Sequence, residues 1–181
     1  MTTLALAVRT PRSRALGVVI AVIALALASQ VAIPLPGTPV PLTLQPFVVV
    51  LTGLLIGPID AAAAMVLYLV AGAAGAPVFA PIGAPGIARL LGPTGGYLLA
   101  YPVAAAVAGW LGAGRERFGA RLVAAIAGIL ALYIGGLSQL SIITGNVTTA
   151  AVWGVLPFVA ADLLKAIVAA AVSGRRSGTT S

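Results

Sequence analysis

The chain has 181 residues, 61% of them hydrophobic and only 7% charged, with a formal net charge of +7. A water-soluble domain of this composition would expose large apolar patches, so its natural solvent is a bilayer. The lack of cysteine and histidine excludes disulfides, thiolate chemistry, imidazole metal ligands and histidine-based catalysis, and the basic residues do not form the single aromatic-interleaved patch of a nucleic-acid surface.

Apolar runs such as Ala15 to Ala28 and Leu122 to Leu132 are continuous rather than alternating, which points to helices and against a transmembrane barrel. We expect an all-α, polytopic membrane protein in which residues 1–181 form a single integral membrane domain, with basic tails at about 1–13 and 174–181. Six hydrophobic segments are expected, near 14–32, 43–57, 59–74, 94–112, 119–143 and 156–173. The first follows a basic start and contains Ala26-Leu27-Ala28, which resembles a signal peptide with its cleavage site. With so many later segments, it is expected to insert as an uncleaved signal. Ala21, Ala24 and Ala28 form a strip of small residues at helical spacing, open to close approach by a partner helix or by the chain's own helices. The second and third segments fall short of the roughly 20 residues a span needs, so they belong in a thinned or protein-packed region. Gly57-Pro58 between them reads as a tight turn, with Asp60 placed to cap the helix that follows.

Two loops are not generic connectors. Pro34 to Pro46 carries five prolines, which stiffen it, and its apolar and hydroxyl residues suit folding back on the bundle. Gly75 to Gly92 mixes glycine and proline with Val78, Phe79 and Ile82, and it carries Arg89. With the N-terminus inside, Arg9, Arg12, Arg14, Arg115, Arg117, Arg121, Arg175 and Arg176 are all cytoplasmic and Arg89 alone lies outside. Both termini then share the cytoplasmic side, as an even number of spans requires.

Asp162 and Lys165 are the exception to this partition. Three residues apart on the last segment, they lie on one face, and each costs on the order of 3 kcal/mol at mid-membrane, so both should face the bundle interior or a wet cavity. Counting from Pro157, they sit roughly 8 to 12 Å below the outer end of that helix. Together they offer an acceptor and a donor to a ligand, or they form a salt bridge that only fixes packing. Gln45, Thr94, Tyr97, Gln139 and Asn146 are polar groups near the same end that can join them in one external cavity.

Three stretches carry a family resemblance: Pro34-Leu-Pro-Gly-Thr-Pro-Val-Pro-Leu-Thr-Leu-Gln45, Leu91-Gly-Pro-Thr-Gly-Gly-Tyr-Leu98 and Asp162-Leu-Leu-Lys165. In identity, order and spacing they resemble the signature segments of BioY, the substrate-binding S component of energy-coupling-factor biotin transporters. The resemblance implies six transmembrane helices in the cell membrane and a biotin pocket near the outer face, covered by the first external loop. It also implies noncovalent binding with no cofactor and no chemistry on the vitamin. Asp162 is then expected to accept from a ureido N–H, Lys165 to donate to a ligand oxygen and Arg89 to meet the carboxylate, with Gln45, Thr94, Tyr97 and Asn146 as further pocket residues. The implied partners are a transmembrane coupling protein, for which Ala21, Ala24 and Ala28 are the candidate docking strip, and two ATPase subunits that alone use ATP. Consistent with that division, the chain has no phosphate-binding Gly-x-x-x-x-Gly-Lys loop. One departure is Ala160-Ala161, where relatives often carry Pro-Gly, so the last helix is expected to start earlier here. The alternatives are a solo secondary transporter or facilitator of biotin or a similar solute, and a structural membrane protein in which the pair is only a salt bridge.

Overall fold

A computed structural model of the chain describes residues 10–174. Arg9, Arg175 and Arg176, and most of both basic tails, lie outside the described residues. The elements are α1 (Pro11–Gln30), a two-stranded antiparallel hairpin of β1 (Ala32–Ile33) and β2 (Leu42–Thr43), α2 (Gln45–Ile56), α3 (Pro58–Ala73), the short α4 (Ala88–Leu91), α5 (Gly95–Gly112), α6 (Phe118–Thr144), α7 (Val147–Gly154) and α8 (Val159–Ser173).

Each predicted segment falls on a helix, in order α1, α2, α3, α5, α6 and α8, with ends displaced by a few residues. Among the described residues, α1, α5 and α6 are long and apolar enough to cross a membrane, and α7 with α8 qualifies as one broken span bent by 53°. The outward faces fit this: Leu16, Ile20, Ile23 and Leu27 on α1 and Val123, Leu130 and Ile134 on α6 are large, apolar and exposed, a surface that lipid but not water would solvate. The chain is a helical membrane protein.

The short helices α2 and α3 need little lipid of their own. α2 touches α1, α3, α5, α6 and α8, and Val49 and Val50 are fully buried within it. The turn between α2 and α3 works as expected, since Gly57 adopts φ 86° and Pro58 starts the next helix without an amide to satisfy. Asp60 stands in the first turn of α3, and its carboxylate takes a fork of hydrogen bonds from the Arg14 guanidinium of α1 at 2.7 to 3.1 Å.

Alanine and glycine set how closely the helices approach. Ala104, Ala105, Ala108, Ala124, Ala125, Ala166 and Ala169 are fully buried. A Cβ on Gly53 would meet the Ala105 carbonyl and lie 2.9 Å from the Gly109 nitrogen, so α2 and α5 touch backbone to backbone there. The strip Ala21, Ala24 and Ala28 belongs to the same kind of packing: Ala21 and Ala28 are buried and Ala24 half-buried, so it faces inward rather than offering an open docking face. Between them Leu25 is fully buried, which makes α1 an integral part of the fold.

The contacts sort into two ends. At one, Arg14 meets Asp60, and the buried Arg121 donates to the carbonyls of Ala170, Arg115 and Glu116, holding the end of α8 against the α5–α6 loop. At the other lie the hairpin, the 74–94 loop, α7 and the start of α8, and there the cavity opens.

Candidate functional site

The hairpin folds back on the bundle. Val40 at its tip is buried against Leu140, Ala150 and Phe158, and the Thr38 hydroxyl donates to the Trp153 carbonyl at 2.7 Å. Beneath it is a cavity with about 670 Å³ of empty space, counting the part open to solvent. Its walls are largely apolar, with Val40, Pro41, Phe79, Leu98, Leu132 and Phe158, as suits a small-molecule site.

Asp162 and Lys165 line it together. α7 ends at Gly154 and α8 begins at Val159, so Asp162 stands in the first turn of α8, where the helix dipole favours a carboxylate. Ala160 and Ala161 lie inside that turn. Lys165 Nζ is 2.7 Å from Asp162 Oδ1, and the side chains are only 11% and 6% exposed. Tyr133 on α6 donates to Asp162 Oδ2 at 2.8 Å. The carboxylate therefore has one donor on each oxygen and keeps lone pairs free for more. The salt bridge and the cavity, which the sequence offered as alternatives, are the same feature.

Arg89 is not solvated. On α4 it is 6% exposed, donates to the carbonyls of Ile82 and Ala80, lines the cavity and leaves Nε sealed without a partner. Burial lowers its pKa from the ordinary value, yet a guanidinium keeps its charge at any physiological pH. Gln45, the first residue of α2, is buried; its Nε2 donates to the Tyr68 hydroxyl at 2.9 Å and its Oε1 accepts from Thr43 at 3.3 Å. Tyr68 donates onward to the Val78 carbonyl, which Ser29 of α1 also reaches, so the 74–94 loop is tied to three helices. Tyr97 lines the cavity with its ring, wedged between Gly136 and Gly154, while its hydroxyl is spent on the Gly154 carbonyl. Thr94 lines it just before α5 and makes no capping bond.

Two sequence candidates lie elsewhere. Asn146 is exposed and outside the cavity lining; its Oδ1 accepts from the Thr149 amide at 3.0 Å, capping α7, which is what asparagine does at a helix start. Gln139 donates to the carbonyls of Leu90 and Gly92, fastening α6 to the end of α4. Conversely, Tyr133 and Tyr101 line the cavity without having been singled out. Little in the sequence marks them, since each reads as one more aromatic ring in a largely apolar helix.

A sequence model of the BioY family matches residues 2–179. The chain belongs to the BioY family. Among its BioY relatives, the chain is 42% identical over 142 residues to a probable biotin transporter BioY of Pyrococcus horikoshii, covering 78% of this chain and 83% of that one. It is 38% identical over 143 residues to the biotin transporter BioY of Thermotoga maritima, covering 79% and 84%. In three dimensions it resembles a crystal structure of the S-component for biotin from an ECF-type ABC transporter, with a TM-score of 0.82 over 94% of this chain and 95% of that chain. At 22% identity that likeness establishes the fold.

Proposed function

We propose that the chain is the biotin-binding S component of an energy-coupling-factor importer, capturing biotin noncovalently in the cavity beneath the hairpin. The observation that carries this reading is one pocket joining apolar walls to a buried Asp162–Lys165 pair at one place and a buried Arg89 at another. Biotin has matching parts: a cyclic urea with two N–H donors and an acceptor oxygen, an apolar thioether ring and chain, and a carboxylate. Asp162 accepts from a ureido N–H, Lys165 donates to an oxygen, and the unpaired positive charge of Arg89 attracts the carboxylate. Gln45, Thr94 and Tyr97 complete the walls.

In this reading six helices cross the plasma membrane, α7 with α8 making the last crossing, and both termini are cytoplasmic. The cluster of Arg12, Arg14, Arg115, Arg117 and Arg121 at the end opposite the cavity supports that orientation. A transmembrane coupling protein and two ATPase subunits supply the power stroke, and only they use ATP. Isothermal calorimetry and thermal unfolding of purified protein with biotin test the binding. No heat and no stabilisation at micromolar biotin sinks the reading. Membrane vesicles lacking the coupling module should show no biotin accumulation.

A further inference from the structure

The chain has four tyrosines, and the hydroxyls of three are spent on the protein: Tyr68 on the Val78 carbonyl, Tyr97 on the Gly154 carbonyl and Tyr133 on Asp162. Tyr101 differs. Its residue is 3% exposed, its ring stacks on that of Tyr68 with centroids 6.3 Å apart, and it lines the cavity. No hydrogen bond joins its hydroxyl to any described residue. Nor is that oxygen sealed away, because the single sealed polar side-chain atom without a partner, among the described residues, is Arg89 Nε. The Tyr101 hydroxyl therefore opens on the cavity with its hydrogen-bonding capacity unused.

A buried hydroxyl among apolar neighbours is unfavourable until something satisfies it. The ring already has its packing partners in Tyr68, Leu98 and Leu132, so phenylalanine would fill the same space without that penalty. The oxygen is what needs explaining.

We propose that the Tyr101 hydroxyl contacts the ligand directly, donating to the carbonyl oxygen of the cyclic urea, and so acts as a specificity-determining residue. This rests on the biotin reading above. The urea oxygen has two lone pairs. Lys165 supplies a donor to one while its remaining reach is held by Asp162, and Tyr101 supplies the neutral donor to the other. Asp162, an acceptor, serves the urea N–H, and the carboxylate has its counter-charge in Arg89, so the urea oxygen is the strong acceptor still lacking a second donor. A neutral hydroxyl there discriminates by geometry rather than charge: a ring without an acceptor at that point leaves Tyr101 unpaired.

The test is Tyr101→Phe, titrated calorimetrically with biotin and with its 2-thio analogue, in which a weakly accepting sulfur replaces the urea oxygen. The expected result is a five- to twenty-fold weaker Kd for biotin, at most a twofold change for the thio analogue, and an unliganded Tm equal to or above that of the unaltered protein. Unchanged biotin affinity overturns the proposal. So does an equal loss for both ligands, which would place the hydroxyl away from the urea oxygen, or a fall in the unliganded Tm, which would make its role structural. Failure of the unaltered protein to bind biotin at all would instead refute the function on which the proposal rests.

Discussion

Lys165→Ala separates a ligand-binding pair from a merely structural one, provided its effect on folding is measured beside its effect on binding. With Lys165 gone, the Asp162 carboxylate stays buried with the Tyr133 hydroxyl as its remaining side-chain donor. Removing one partner of a buried pair costs about 3 to 5 kcal/mol. The lower end applies here because the pair lines a cavity that water can enter. At roughly 2 to 4 °C per kcal/mol for a chain of this size, about 3 kcal/mol lowers Tm by roughly 6 to 12 °C. Removing both charges in Asp162→Asn/Lys165→Met leaves no stranded ion, so most of that loss should return. Binding should not return. Each charge-assisted hydrogen bond to the ligand is worth about 1.5 to 3 kcal/mol, so Kd weakens roughly 10- to 150-fold for the single variant and further for the double. Thermal unfolding in detergent gives the first quantity and calorimetry the second. A single variant as stable as the parent, or a double no more stable than the single, refutes the electrostatic argument. A double variant that binds biotin normally removes the pair from the site.

Three further outcomes are expected. Tyr133→Phe keeps the ring but takes one donor from Asp162, so biotin should bind about tenfold more weakly, by the value of a hydrogen bond to a charged group; an unchanged Kd makes Tyr133 a bystander. Thr38→Val cuts the bond between the hairpin and the Trp153 carbonyl, worth about 1 kcal/mol, and stopped-flow release should show dissociation about fivefold faster with little change in association; equal dissociation rates would mean that the latch does not hold the hairpin shut. Asn146→Ala removes the α7 cap, so stability should fall by about 1 kcal/mol while the biotin Kd stays constant. A changed Kd there would return Asn146 to the site.

The helices were legible because apolar runs have to be helical in lipid, whatever their tertiary partners. The pair was legible for the same energetic reason, since two ions in an apolar segment must find each other or a cavity. What local pattern could not reveal were contacts between residues far apart in sequence. Tyr133 meets Asp162 across 29 positions, and nothing around Tyr133 marks it as more than one ring in an apolar helix. Asn146 failed in the opposite way, because a polar residue at a helix start reads equally as a ligand contact or as a cap, and here the backbone claimed it. Counting basic residues in the loops placed Arg89 on the outer side but could not show its burial; α4 sets the guanidinium among the Ile82 and Ala80 carbonyls.

The break between α7 and α8 explains how the membrane tolerates the pair. An unbroken helix from Val147 to Ser173 would place Asp162 in its middle, far from any helix terminus. Ending α7 at Gly154 and restarting at Val159 puts Asp162 in a first turn instead, beside the positive end of the α8 dipole and within reach of Tyr133. Lys165, one turn further on, supplies the counter-charge from the same helix, so the pair needs no second charged segment. The same break turns α7 toward the hairpin, where the Trp153 carbonyl receives Thr38 and the Gly154 carbonyl receives Tyr97. One interruption of the backbone thus stabilises the buried charge and provides two of the acceptors that hold the cavity's rim. Restoring helical continuity across residues 155–158 should therefore damage the charged pair and the hairpin latch together.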